Sequence, residues 1–181
     1  MLALMEFGDK WLAGDESPPL EMIHTKCGHK CEPVTVCSNC LEPVDARAVS
    51  PRDGPGAGFE PVERRPRSRR SSDPNLLQRV RPCSVARSLA IIGDRWSFLI
   101  LREGWNGVRR FEEMRENLGI APNILTDRLN RLVEAGVFRR VPYGSGDRQE
   151  YRFTEKGLAL YKPMIVMMAW GDKWLSNGKP P

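Results

Sequence analysis

The chain has 181 residues, 28 Lys or Arg against 23 Asp or Glu for a net charge of +5, and 40% hydrophobic residues. That length suits one domain of ordinary size or two small ones. No run of eighteen apolar residues is present to cross a membrane, and the start, with Asp9, Lys10, Asp15 and Glu16, lacks the pattern of a secretory signal. Five cysteines, four of them within residues 27–40, point to metal binding or a reduced compartment and exclude a disulfide framework. The charge is unevenly spread: residues 1–49 carry net −4, residues 50–82 net +4 and residues 83–181 net +5. A basic C-terminal two thirds fits an anionic partner, most simply nucleic acid, although a solvated basic surface would read the same way.

The chain opens on a repeat of its own end. Residues 1–12, MLALMEFGDKWL, match residues 164–175, MIVMMAWGDKWL, with Met1, Met5, Gly8, Asp9, Lys10, Trp11 and Leu12 recurring as Met164, Met168, Gly171, Asp172, Lys173, Trp174 and Leu175. Residues 1–20 therefore read as a helix repeating the C-terminal one, a remnant of a first unit. Residues 21–49 hold two knuckle-like pairs, His24-x2-Cys27-Gly28 and Cys37-x2-Cys40, nine residues apart. Four such donors suit a tetrahedral, structural Zn2+ in a ribbon, with Val34 and Val36 in a strand between the pairs. Cys31 is the alternative ligand to His24, and His29 also competes. The bland alternative is a degenerate ribbon that folds without metal. Residues 50–82, rich in Pro, Gly, Ser and Arg, form a linker that buries too little to offset its ordering entropy, with Asp73-Pro74 starting a short helix to about Arg79.

Compact structure begins at Cys83. Val85, Leu89 and Ile92 line one face of a helix that stops at Gly93. Asp94 caps a second helix carrying Trp96, Leu99 and Ile100, with Gly104 and Gly107 at its end. Phe111, Met114 and Leu118 define a third helix ending at Gly119. Pro122 opens a fourth, about 122–135, behind the poor cap Ala121. Leu125, Leu129 and Leu132 form its apolar face. Residues 137–154 then read as a hairpin, strand runs 137–143 and 149–154 around a Gly144–Asp147 tip. Thr154 caps a last helix that Pro163 kinks or restarts. Residues 164–170 are apolar all round, which calls for burial all round and suggests a dimer interface.

Helix, helix, helix, turn, helix, hairpin, helix is the order of a winged helix-turn-helix, a mainly α fold with a small β-hairpin wing. In this arrangement the fourth helix enters the major groove and the wing reaches the backbone or minor groove. Asn123, Thr126, Asp127 and Asn130 share the face opposite the leucines. Asn can read adenine edges and Thr a thymine methyl. Arg128 and Arg131 flank that face, and Arg139, Arg140 and Arg148 lie on or beside the wing, where they suit phosphates. The bland alternative is the solvated side of an amphipathic helix beside an exposed hairpin.

These residues carry a family resemblance. CSVARSLAIIGDRWSFLILR at 83–102, RRFEEM at 109–114, LTDRLNRLVEAGV at 125–137, EYRFTEKGLAL at 150–160 and WGDKW at 170–174 resemble the HxlR-type, MarR-like winged-helix transcriptional regulators over the continuous stretch 83–175. Residues 83–181 are thus taken as the DNA-binding domain. Ser84 stands where Pro often follows the cysteine, and Ala121 replaces the usual Ser or Thr of the turn, which removes one phosphate contact. The resemblance implies a cytoplasmic homodimer, paired through the first and last helices of 83–181, on operator DNA. Residues 1–49 resemble the tail of a second such unit. Cys83 matches a position that some relatives use to sense oxidants or electrophiles. Near a helix N-terminus, a thiolate is favoured; as a bland alternative, Cys83 fills a dimer seam.

Two function classes remain, a sequence-specific DNA-binding regulator and an interaction module that uses the ribbon and the apolar terminal helices, with DNA binding secondary. An enzyme is not expected. No Ser/His/Asp set, Gly-rich phosphate loop or paired carboxylates in a plausible cleft appear, and both histidines sit beside the cysteines.

Overall fold

The computed structural model describes residues 1–14, 18–32, 34–55, 83–144 and 147–175. Most of the linker, including the helix expected at 73–79, lies outside the described residues. The described helices are α1 (Leu2–Leu12), α2 (Ser84–Ile92), α3 (Arg95–Trp105), α4 (Phe111–Leu118) and α5 (Pro122–Glu134), then α6 (Glu155–Ala159) and α7 (Tyr161–Leu175) after a hairpin of β1 (Phe138–Pro142) and β2 (Gln149–Phe153). The strands pair antiparallel, Phe138 opposite Phe153 and Pro142 opposite Gln149. Among the described residues no helix is long and apolar enough to cross a membrane.

Local chemistry sets most of these boundaries. Asp94 precedes α3 in an extended conformation and accepts from the Trp96 and Ser97 amides at 3.0 and 3.1 Å, two donors that a helix start leaves without partners. α5 starts on Pro122, whose missing N–H is not needed there, behind Ala121, which supplies no side-chain cap. Thr154 accepts from the Gly157 amide at 3.0 Å and opens α6. Pro163 restarts the chain: α6 closes at Ala159, and Pro163 sits in the first turn of α7, where a proline breaks no helical hydrogen bond. Between α4 and α5, Gly119 adopts φ 57°, a left-handed conformation that a side chain makes costly. This residue gives the helix-turn-helix its sharp corner.

The core fills the space enclosed by α3, α5, the hairpin root and α7. Ile100 and Leu101 of α3, Met114 of α4, Leu125, Leu129 and Leu132 of α5, Val137, Phe138 and Leu160 are all buried. Phe153 stacks on Trp105 with ring centroids 4.9 Å apart and lies 4.6 Å from Phe138, while Tyr161 meets Trp105 edge-on at 5.5 Å. This aromatic group ties α3, the base of the wing and α7 together. The buried Glu103 accepts from Asn117 at 2.9 Å and from Arg102 at 2.8 Å, so its charge is matched where α3 faces α4.

Two elements are packed differently from the sequence reading. The buried face of α2 is Ser84, Ser88 and Ile92, whereas Leu89 is exposed. The reason is α1, which lies across α2 so closely that only small side chains fit between them. Ser84 donates to Asp9, and the Ser88 hydroxyl donates to the Leu4 carbonyl at 2.7 Å. Second, Val34 and Val36 do not form a strand between the two knuckles. The only bridges among the described residues there are Ile23 with Lys30 and Val36 with Pro43, because each knuckle closes on itself. Cys31 donates its amide to Met22, and Val44 donates to Thr35. Among the described residues no strand pairing joins the two knuckles. Residues 166–170 of α7, within the apolar stretch expected to lie in a dimer interface, are exposed in the single chain, and of that helix Pro163 and Met164 are buried.

Asp94 also receives the Arg128 Nε at 2.9 Å from α5. Burial pushes its carboxyl up, but hydrogen bonds from Ser97 and Arg128 and the Arg128 charge outweigh this and hold it below the usual carboxylate range. A carboxyl depressed on folding contributes stability above its unfolded value of about 4, and the contribution is lost as pH falls through the folded value. Asp94→Ala is expected to cost about 1–2 kcal/mol, the range for a lost N-cap. In thermal or urea unfolding at several pH values, the gap to the unmodified protein should close as pH falls below about 4.

Candidate nucleic-acid interface

The Leu125–Leu129–Leu132 stripe pins one side of α5 in the core and so fixes what the other side presents. Asn123, Thr126 and Arg131 are exposed there, and Asp127 and Asn130 are half-buried. The helix stands at the surface, behind the Gly119 corner, with its N-terminal turn unobstructed by a side-chain cap.

The wing is joined to this face directly. Arg140 of β1 donates from Nη2 to the Asn130 side-chain oxygen at 2.5 Å. Arg139 is exposed beside it, and Arg148 is exposed at the far end of the hairpin, where its carbonyl accepts from the Tyr143 amide at 3.0 Å. Residues 145 and 146 at the tip lie outside the described residues. Asn123, Thr126, Asn130 and Arg140 are thus brought onto one surface that runs from α5 into the wing, and Arg139, next in the strand, is exposed on the hairpin's other face.

Two expected contacts have other occupations. Arg128 turns toward the protein and pairs with Asp94 and Asp127. Its guanidinium braces α5 against the start of α3 and is not available to a phosphate in this arrangement. Burial lowers the affinity of Arg128 for its proton, but the two carboxylates more than offset this and raise it. Asp127 also pairs with Arg131 Nε at 3.1 Å, one helical turn away. Asp127 therefore orients Arg131, which stays exposed, and its charge is matched by Arg128 and Arg131.

The sequence reading missed Arg109 and Arg110. Arg110 forms a bridge with Glu150 of β2, and the Arg109 carbonyl accepts from the Tyr151 amide at 2.8 Å. The segment before α4 thus lies along the hairpin as a short third edge. The Arg110 guanidinium sits 4.8 Å from the Tyr143 ring centre, a cation–π contact. Both arginines are exposed and add positive charge next to the wing. The run Val108-Arg109-Arg110 ahead of a helix is the available signal, but three residues are too few to show a strand period.

In the cysteine segment, His24 Nδ1 lies 3.1 Å from Cys27 Sγ, and Cys37 and Cys40 flank one turn closed by the Leu41 amide on the Cys37 carbonyl at 2.9 Å. The two turns match: the residue after the second donor is left-handed in each, Gly28 at φ 75° and Leu41 at φ 62°. The amides of Cys40 and Asn39 and the Cys40 side chain pull the Cys37 thiol below its ordinary pKa. The pairs do not meet, however. Among the described residues no three of His, Cys, Asp and Glu converge to hold a metal, so His24, Cys27, Cys37 and Cys40 form two separate pairs, and Cys31 joins neither. Cys83 is half-buried at the start of α2, beside the α1 crossing, and makes no cap hydrogen bond.

A helix-turn-helix with a two-stranded wing and arginines on both is the build of a DNA-binding protein. Residues 91–179 match the HxlR-like helix-turn-helix family. An uncharacterised HTH-type transcriptional regulator of Mycobacterium tuberculosis is 47% identical over 108 residues, 59% of this chain and 68% of that one. The HTH-type transcriptional regulator YodB of Bacillus subtilis is 32% identical over 97 residues, 50% of this chain and 83% of that one. The solved reduced form of YodB aligns with 29% identity over 50% of this chain and 91% of that chain, at a TM-score of 0.45. The chain belongs to the HxlR-like family and is a DNA-binding transcriptional regulator of the helix-turn-helix type. Family and relatives are named as regulators, not enzymes, and they favour this reading over an interaction module.

The roles assigned above predict different outcomes for three substitutions. In DNA-binding titrations Asn130→Ala is expected to relax base preference at one position by about 1–3 kcal/mol. Arg148→Ala should weaken all sequences alike and lower the salt slope by about 1. Arg128→Ala should show first as a lower melting temperature, because it leaves Asp94 without its ion pair.

Proposed function

We propose that the protein binds a palindromic operator as a homodimer, with α5 in the major groove and the wing on the backbone or minor groove. The observation that carries this reading is the Asn130–Arg140 hydrogen bond. It makes the polar face of α5 and the basic hairpin one surface, so base-reading and phosphate-binding groups approach DNA together. Asn123, Thr126 and Asn130 read bases. Arg131, Arg139, Arg140 and Arg148 contact phosphates, joined by Arg109 and Arg110. The two copies pair through α2 and α7. The direct test compares DNA from the protein's own promoter region with random DNA in a salt titration. Preference for the promoter, and affinity falling steeply with salt, is the expected result; equal binding to both would refute sequence-specific regulation. Repeating the titration after peroxide treatment tests Cys83 as an oxidant sensor, since Cys83→Ser should then keep the binding that the unmodified protein loses.

We also propose that His24, Cys27, Cys37 and Cys40, with Cys31 as the alternative to His24, hold one structural Zn2+. The support is the pair of matched turns, each presenting two soft or borderline donors. Bringing the two turns together would complete a four-ligand set. Elemental analysis should find close to one zinc per chain, and Cys37→Ser with Cys40→Ser should abolish it. Zinc far below one per chain in the unmodified protein would dismiss the site.

A further inference from the structure

The GDKWL repeat meets two fates in one molecule. In α1, Met5 is 7% exposed and Phe7 3% exposed. Their counterparts in α7, Met168 and Trp170, are 57% and 58% exposed. Trp174 and Leu175 of α7 are exposed as well, while Trp11 and Leu12 of α1 are partly buried. The difference is that α1 is seated on α2 along its length, whereas α7 is buried only at its start, through Pro163 and Met164, and its residues 166–170 and 173–175 are exposed.

Gly8 and Gly171 sharpen this contrast. At Gly8 the backbones of α1 and α2 come so close that an added Cβ would collide with the Ser84 carbonyl, its carbon 2.8 Å away. Glycine is needed there for close approach. Gly171 occupies the same place in the repeat, yet among the described residues nothing lies within 4 Å of where its Cβ would be. Inside a helix glycine costs about 1 kcal/mol relative to alanine, and nothing around Gly171 among the described residues explains that cost. A helix docked on α2 would explain it. Asp9, which accepts from Ser84, likewise recurs as Asp172, and Leu4, whose carbonyl accepts from Ser88, as Met167.

From these observations we infer that α1 and α7 are alternative occupants of one docking face, the Ser84–Ser88–Ile92 side of α2. α1 fills it within the chain, and α7 of a second copy fits it once α1 leaves. α1 is then a built-in competitor of self-association. Two copies that exchange α7 helices onto each other's α2 make an isologous pair with the same contact twice. A helix on the same chain faces its site at an effective concentration that reaches the millimolar range. At micromolar protein it holds the face against an incoming α7 of similar intrinsic affinity. This inference rests on the proposed pairing through α2 and α7.

The test is sedimentation velocity across a micromolar dilution series on four full-length proteins: unmodified, Gly8→Leu, Gly171→Leu, and the double variant. Leucine at position 8 cannot fit against Ser84 and ejects α1. Leucine at 171 meets nothing among the described residues but cannot dock. Gly8→Leu should self-associate at least tenfold more tightly than the unmodified protein. Gly171→Leu should be no tighter than unmodified protein, and the double variant should lose the gain. If the unmodified protein already associates as tightly as Gly8→Leu, or if Gly8→Leu gains nothing, the competition is overturned while pairing itself remains open to measurement. If the double variant keeps the gain, α7 is not the docking helix and the pairing reading fails too. Should Gly8→Leu not melt cooperatively, Asp9→Ala removes the Ser84 acceptor without adding bulk. A tightening of a few fold is then expected, and no change overturns the proposal.

Discussion

Asp94 is the residue through which the start of α3 and the reading helix are held in one geometry. One carboxylate caps α3 through two backbone amides and grips Arg128 of α5. The leucine stripe of α5 supplies adhesion without fixing how far the helix slides or turns. The Asp94–Arg128 contact adds direction, since a hydrogen-bonded ion pair tolerates little change in distance or angle. The exposed face of α5 is therefore set from behind, by a contact on the side of the helix that meets α3.

The same logic governs the wing. A two-stranded hairpin alone is marginal in water. Here its root is locked by Phe138 and Phe153 against Trp105, its edge is lengthened by Arg110 against Glu150, and its first strand is fastened to α5 by Arg140 on Asn130. Arginines on such a frame lose less freedom on meeting a phosphate than arginines on a loose loop. Charge and rigidity thus come from the same few residues.

Besides the Ser84–Asp9 and Ser88–Leu4 hydrogen bonds, ion pairs tie the N-terminal quarter to this domain. Arg47 reaches Glu155 of α6 at 2.5 Å, and Glu6 of α1 receives Lys162 of α7 at 2.9 Å. Both pairs lie at the surface, where an ion pair contributes little. The larger share of the attachment is apolar, Met5 and Phe7 of α1 buried beside α2. The helix read from sequence as a remnant is part of the packed structure.

The helices of residues 83–175, their caps and their stops were legible because each rests on local chemistry: Asp94 and Thr154 as caps, Gly119 as a corner, Pro122 and Pro163 in first turns, and a leucine every third or fourth residue in α5. The reading face of α5 followed from the same period, and so did the approximate hairpin. Periodicity does not say which neighbour a face meets. The α2 helix was read as presenting Val85 and Leu89, yet α1, more than seventy residues away in sequence, buries Ser84 and Ser88 instead. Arg128 looked like a phosphate contact because helical spacing places it beside Asn130; only the packing of α5 on α3 brings Asp94 within its reach. The knuckles were visible as spacings, but whether four donors converge depends on long-range chain placement that spacing does not contain. Sequence alone determined the elements and the chemistry each carries, because those depend on neighbours within a turn or two. Tertiary structure decided which polar groups are spent on holding the protein together and which are left for DNA, because that depends on residues far apart in the chain.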